Sequence, residues 1–264
     1  MGTTLEPKRK PLWHTVAGVF PQQCRRTHWA KVLVMKKSKG SVMTGPFRSL
    51  RYVKTSVGSS YYPKILGTYE LELHDLIEAL CKERFERIVN VGAAEGYYAV
   101  GMAVRCPHSQ VVAAEMEAEG RQLLAEMVQM NNVSQRVTIF GACNVTNLPA
   151  LLTGSSQVKS LVIMDIEGAE AELLDPEKVA DLKHCTILVE VHDGANTGPI
   201  GDQLIERFQQ THKITRMWSR KRHISDLPLQ VPFVTRHLAE LMNEGRKVGL
   251  CWMIMRPISQ LGGS

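Results

Sequence analysis

From residue 86 onward the chain alternates between two hydrophobic patterns. Short, nearly continuous apolar runs (RIVNVG, QVVAAE, RVTIFGA, KSLVIMD and TILVEVHD) predict buried strands. Between them, YYAVGMAVRC, AEGRQLLAEMVQMNN and LPALLTG predict helices, and AEAELLDPEKVADLK predicts one helix or two. PIGDQLIERFQQTH continues as a helix, KITRMW as a strand and VGLCWMIMRP as a closing strand. Strands separated by helices, with few polar positions inside the runs, predict a parallel sheet covered on both faces and joined by right-handed crossovers.

The first 64 residues read differently. Residues 1–30 are irregular, with Pro7, Pro11 and Pro21. In AKVLVMKKSKGSVMTGPF, apolar residues flank a Lys-Ser-Lys-Gly turn, which predicts a β-hairpin, and RSLRYVKTS a third strand. GSSYYPKILGTYE reads as a loop. YELELHDLIEALCKERF reads as an amphipathic helix, with Leu71, Leu73, Leu76, Ile77 and Leu80 mostly on one face.

Charge sharpens this division. Thirteen of the 32 Lys and Arg residues, but only one of the 26 acids, lie in residues 1–64, so that segment carries +12 and the rest −6. The chain therefore divides into a basic N-terminal extension (1–64) and an acidic catalytic-type body (65–264). A second basic knot, Arg216, Arg220, Lys221 and Arg222, includes Trp218 and His223 and offers a platform for an acceptor. The asymmetry suggests attraction for an anionic partner such as RNA, a phosphate or an acidic substrate, although no RNP box or GXXG loop is present. At 264 residues, 44% hydrophobic and 22% charged, the chain suits one large domain with an appendage and excludes wholesale disorder. No apolar run approaches the roughly 20 residues of a membrane span. The first residues lack a signal-peptide core, and Gly2 is followed by Glu6 where a myristoylation signal has Ser or Thr. Cys24, Cys81, Cys106, Cys143, Cys185 and Cys251 form no C-x-x-C pair, which argues against a zinc finger and against a disulfide framework. A reducing, cytoplasmic setting without membrane association is expected.

Ligands of open α/β sheets bind beyond the carboxyl ends of the strands. The first strand runs into Asn90-Val-Gly92-Ala93-Ala94-Glu95-Gly96-Tyr97. This is G-x-x-x-G rather than G-x-G-x-x-G; Ala94 stands where a dinucleotide fingerprint has the glycine that admits a pyrophosphate. An adenosine ligand without phosphates is favoured, and S-adenosylmethionine is the natural candidate. Glu115, ending the second strand, is placed to accept hydrogen bonds from vicinal ribose hydroxyls. Ala142 and Cys143, after the third strand, can flank an adenine. The fourth strand ends in Asp165-Ile-Glu167-Gly168-Ala-Glu170 and the fifth in Glu190-Val-His192-Asp193. Period-2 spacing puts Glu190 and His192 on one face, and an imidazole beside carboxylates suits proton removal near neutral pH. Glu167 and Glu170 lie in the first turn of the next helix, where acids also cap. Asp165, Glu190 and His192 have the donor types to hold a divalent metal, but none is expected.

From Arg87 to Asp193 the chain resembles the FkbM-type class I S-adenosylmethionine-dependent methyltransferases. VNVGAAEGYYAVG is similar to the family's first loop and Glu115 in VVAAEME to its strand-end acid. MDIEGAEAELL followed by ILVEVH matches its D-x-E-G-x-E and strand signature. Asn90, Ala94 and Met116 depart from the Asp, Asn and Pro usual in the family. The resemblance implies a Rossmann-like fold with a mostly parallel seven-stranded sheet, beside the small β-rich extension. It implies a cofactor site of Asn90, Gly92, Ala93, Glu95, Gly96, Tyr97, Glu115, Met116, Ala142, Cys143 and Asp165. The expected reaction is O-methylation of a hydroxyl on a small-molecule or sugar-like acceptor, with His192 as base and Asp165 or Glu190 orienting it. The alternatives are an RNA methyltransferase and a non-catalytic protein binding nucleic acid or another anionic partner through a degenerate cofactor site.

Overall fold

The structure is a computed structural model that describes residues 22–152, 154–193, 199–246 and 250–260, without the side chains of 22–25 and 260. Seven strands form one sheet: β1 (Arg87–Val91), β2 (Gln110–Ala114), β3 (Val137–Phe140), β4 (Ser160–Met164), β5 (Thr186–Val191), β6 (His212–Trp218) and β7 (Cys251–Pro257). Their order is β3-β2-β1-β4-β5-β7-β6. The first five pair in parallel, and β7 runs antiparallel between β5 and β6. The helices are α1 (Gln22–Ser38), α2 (Tyr61–Leu66), α3 (His74–Lys82), α4 (Tyr97–Arg105), α5 (Ala118–Met130), α6 (Leu148–Leu152), α7 (Glu170–Leu173), α8 (Ile200–Phe208) and α9 (Thr235–Glu240). Among the described residues no helix is long and apolar enough to cross a membrane.

The near-continuous apolar runs follow from burial on both faces of the sheet. Along β4, Leu161 and Ile163 face one cluster with Ile88, Leu188 and Trp252, while Val162 and Met164 face a second with Val89, Val189 and Phe208. Val91, Ala114 and Met164 pair across neighbouring strands, so the parallel strands end nearly flush and present one rim. Strand order reverses between β1 and β4, which opens a crevice there.

The expected helices and strands of the body form, with one simplification: AEAELLDPEKVADLK gives a single turn, α7, and a 3-10 turn at Ala180–His184. The extension differs from the reading. Residues 1–21 lie outside the described part, but residues 22–30, read as irregular, and the first arm of the expected hairpin form α1. The reason is tertiary. Ala30 and Val34, four apart, are fully buried on one helix face, and α1 packs on α2 and α9. The apparent hairpin turn is instead the helix stop, with Lys39 and Gly40 at φ 51 and 75. What remains of the expected strands is a bridge between Ser41 and Arg51. Part of the expected loop 58–70 winds into α2 and ends at Gly67, φ 75. A Cβ at Gly67 would meet the Thr44 carbonyl oxygen at 2.1 Å.

Val42, Phe47, Leu50 and Tyr52 join the same hydrophobic cluster as the sheet. Phe47, Tyr52, Tyr69 and Tyr98 all set their rings edge-on or tilted around Tyr97, at 5.1, 6.2, 5.3 and 5.4 Å between centroids. That aromatic knot fastens residues 47–69 to the start of α4. Trp252, fully buried on β7, packs against Tyr98. Trp252→Ala should cost about 3–5 kcal/mol of unfolding free energy in chemical denaturation; a loss below about 1 kcal/mol would show that this face of the sheet is loosely packed.

Candidate functional site

The rim is organised by Gly92. Its φ is 78, and a Cβ there would lie 1.7 Å from the Asp165 carbonyl oxygen, so the loop leaving β1 presses against the end of β4. Gly92 and Ala93 both donate backbone N–H groups to the Ala114 carbonyl at 3.0 Å, and the Asp165 N–H reaches the Val91 carbonyl at 3.1 Å. Ala94 and Gly96 continue the turn with φ 46 and 103. Tyr97 then opens α4 with its ring committed to the aromatic knot.

Glu115 lies at the end of β2 and bridges to this loop. One carboxylate oxygen accepts the Ala94 N–H at 2.7 Å and the other the Glu117 N–H at 2.7 Å. Gly120 of α5 makes room for it, since a Cβ there would come within 2.8 Å of the Glu115 side chain. Met116 beside it is 68% exposed. Ala142 and Cys143 follow β3; the Ala142 carbonyl accepts from Asn147, and burial pushes the Cys143 thiol up to about 11. Asn90 is buried, and its amide donates to the Ile163 carbonyl at 3.2 Å, tying β1 to β4. Its side-chain oxygen has no hydrogen-bond partner among the described residues.

Glu95 has another role than the expected one. Its side chain is fully buried and accepts from Lys64 at 2.5 Å, from the Tyr52 and Ser56 hydroxyls at 2.5 Å each, and from the Val57 N–H at 3.2 Å. Burial raises this carboxyl, but Lys64 outweighs it with the hydroxyls, and the group sits below its ordinary value. Glu95 thus ties the glycine turn to the extension.

At the β5 end, His192 Nδ1 lies 2.7 Å from Glu170. Glu170 also accepts the Gly168 N–H at 3.1 Å. Its acceptor role places the proton on Nδ1 and leaves Nε2 facing Glu167, Asp165 and Glu190 at 3.6, 3.7 and 3.8 Å. The orienting carboxylate is therefore Glu170, and not Asp165 or Glu190. The latter two face the other ring nitrogen because period-2 spacing carries them to the rim, whereas the turn at Glu167 and Gly168 (φ 57 and 114) swings α7 under the imidazole.

No protein-family model and no curated protein matches the sequence. Among solved structures, human methyltransferase 10 domain containing protein is 12% identical, covers 91% of this chain and 98% of its own, and superposes with a TM-score of 0.50. This is the Rossmann-like methyltransferase fold. The METTL16 methyltransferase domain (14% identity, 94% and 85% coverage, TM-score 0.48) and the O-methyltransferase TomG from Streptomyces achromogenes (14%, 92% and 93%, 0.45) also align with it.

Under the rim of this methyltransferase fold lies a buried charge network that the sequence did not announce. Arg246 pairs with Glu70 and Glu190, reaches Glu244 at 3.0 Å and donates to the Tyr69 hydroxyl at 2.7 Å. Tyr98 donates its hydroxyl to Glu70. Arg222 joins Glu72 at 2.7 Å and Glu244 at 2.5 Å. Carboxylates outnumber cations here, and burial leads the response: Glu190 is pushed up to about 10, with Asp165 and Glu70 adding to burial and Arg246 opposing it. Burial also lifts Glu70 to about 7 against Arg246 and Tyr98, and Asp165 above its ordinary value against His192 and Arg246. A proton shared between Asp165 and Glu190 relieves their repulsion. Asp165, Glu190 and His192 each bring a ligand atom within 4.8 Å of the others, but Arg246 already occupies Glu190.

Three of the four cations in the second basic knot are paired. Arg216 pairs with Asp202 at 3.1 Å and Arg220 with Asp226 at 3.0 Å, while Arg222 is taken by its two acids. Trp218 is 56% exposed at the end of β6. Glu70, Lys64 and Arg246 gave no local signal because the pairs Lys64–Glu95, Arg246–Glu190 and Arg246–Glu70 join residues 31, 56 and 176 positions apart; Glu170 was visible, but as a helix-capping acid.

Lys64→Met should cost about 3–5 kcal/mol by chemical denaturation, because Glu95 is left buried without its cation. The double variant Lys64→Met/Glu95→Leu should recover most of that loss. Equal losses in both would show that the pair matters only through its packing.

Proposed function

We propose that the chain is an S-adenosylmethionine-dependent methyltransferase that methylates a hydroxyl of a sugar-like acceptor, with His192 as the general base. The observation that carries this reading is the single rim on which the Gly92 turn, Glu115, Asp165 and the Glu170-held imidazole converge. Human methyltransferase 10 domain containing protein, which shares the fold, is by name a methyltransferase.

The residues fit the cofactor. The backbone at Gly92 has no side chain to fill the crevice, Glu115 stands at the rim with spare acceptor positions for a ribose diol, and the excess of buried carboxylate suits a ligand carrying a sulfonium and an ammonium charge. Gly92, Ala93 and Gly96 would hold it through the loop backbone, Glu115 at the ribose, and Ala142 and Cys143 beside the adenine. Asp165 would face its charged end. When bound, this cofactor supplies an electrophilic methyl group.

His192 does the proton chemistry. Glu170 fixes the ring through Nδ1, so Nε2 is directed at the rim as a proton acceptor. Burial lowers the imidazole's proton affinity, but the Glu170 hydrogen bond and the charges of Glu170, Asp165 and Glu167 outweigh it and raise it above its ordinary value. The base is therefore free only as pH rises past its raised value. Loss of the hydroxyl proton as the methyl is approached in line is the step a positioned base accelerates.

His192→Ala should lower kcat by roughly 10²–10⁴ while leaving cofactor affinity by calorimetry within about twofold. Glu115→Ala should do the reverse, weakening cofactor binding by roughly ten- to a hundredfold. Swapped effects would exchange the two roles. Glu170→Gln should move the acidic limb of the pH–kcat profile to lower pH, since it removes the leading influence holding the proton on His192. The corresponding stability term runs the same way. The raised imidazole stabilises the fold at pH below its unfolded value, and that contribution fades as pH climbs through the folded one. An unmoved acidic limb would mean that another group sets it.

A further inference from the structure

Between residues 7 and 69 the chain has no aspartate or glutamate. In the folded protein the described part of this run presents a basic face. α1 buries Ala30 and Val34 and turns Arg26, Lys31, Lys36 and Lys37 outward, and the segment after it exposes Lys39 and Lys54. Among the described residues none of these six forms an ion pair, whereas Arg216, Arg220 and Arg222 are each held by an acid. Trp29 lies among these cations, 63% exposed, and shares the outward helix face with Val32 and Lys36 at i+3 and i+7. α9, on which α1 packs, is entered through Phe233, 96% exposed at φ 67, and β6 ends on the rim at Trp218. Exposed aromatic rings thus occur on the basic helix, on the loop entering its neighbour and at the site.

The pit where methyl transfer is proposed has the opposite lining. Asp165, Glu167 and Glu190 surround His192 Nε2, so a phosphate there would meet carboxyl oxygens, whereas a neutral hydroxyl can hydrogen-bond to them. A basic outer face, exposed rings and an acidic pit together fit one acceptor: a polyanion whose charge stays outside while a neutral sugar hydroxyl enters. We infer that the outer face of α1 binds single-stranded RNA and that the acceptor hydroxyl is carried on its ribose. This rests on the methyltransferase reading above and names its substrate class. Cations on α1 neutralise phosphates, and Trp29 stacks on a base, which suits a sequence-tolerant strand. A membrane surface fits less well, because among the described residues of α1 the large exposed apolar side chains are Trp29 and Val32, too little for a helix lying in a bilayer interface.

The test uses the full chain, a fluorescein-labelled 20-nucleotide RNA of mixed sequence read by anisotropy across a salt series, and S-adenosylmethionine titrated by calorimetry. The RNA should bind, and Lys36→Gln/Lys37→Gln should flatten the slope of log affinity against log salt by about 1.4. Trp29→Ala should weaken binding about tenfold. Both variants should keep the wild-type melting temperature and cofactor affinity. Absence of RNA binding at low salt, variants that bind like wild type, heparin displacing the RNA while Trp29→Ala has no effect, or binding of anionic phospholipid vesicles in place of RNA would each overturn the inference. Cofactor affinity separates the two proposals: RNA binding lost with cofactor binding kept removes only this one, and absent cofactor binding removes the methyltransferase reading whatever the RNA does.

Discussion

The site depends on the contact between Gly92 and the Asp165 carbonyl. Only a residue without a side chain lets the β1 loop lie against the end of β4, and that closeness brings the two halves of the rim together. The loop N–H groups then reach Ala114, Glu115 reaches Ala94, and the ends of β4 and β5 come into register beside them. A side chain at position 92 would force the strand ends apart and separate the glycine turn from the carboxylates.

Around this contact the protein concentrates buried charge, and it does so unevenly. Lys64 and Glu95 balance each other under the turn. Beneath the rim, Glu70, Asp165, Glu190 and Glu244 share Arg246 and Arg222, and the deficit of positive charge is met by protons held on carboxyls whose affinity burial has raised. Such a network is costly to desolvate and is not a general stabiliser. On the proposed reading the carboxyl-lined pit takes the cationic cofactor and a neutral acceptor, and the basic face of α1 holds phosphate charge outside it.

His192 shows how far local reasoning reached. Its position on the rim follows from the strand pattern and the Glu190-Val-His192 alternation, and so does the presence of acids near it. Which acid orients it did not follow. Glu170 lies at the start of a one-turn helix whose direction is set by the left-handed backbone of Glu167 and Gly168, and a helix-start acid reads the same in sequence whether it caps its own helix or holds an imidazole. Glu95 is a similar case, adjacent to the glycines but turned toward the extension.

The sequence by itself determined the parallel sheet, the order of its strands and helices, the glycine turn and the acids and imidazole at the strand ends, because these rest on period-2 and period-3.6 burial and on steric limits that act within a few residues. Tertiary structure decided the rest. The segment VLVM is compatible with a strand, and it became a helix because α2 and α9 offered a surface that a helical face of Ala30 and Val34 could bury. The ion pairs of Lys64 with Glu95, of Arg222 with Glu72 and Glu244, and of Arg246 with Glu70 and Glu190 join residues 22 to 176 positions apart, and such partners are chosen by three-dimensional proximity in a low-dielectric interior, a quantity that no local pattern along the chain encodes.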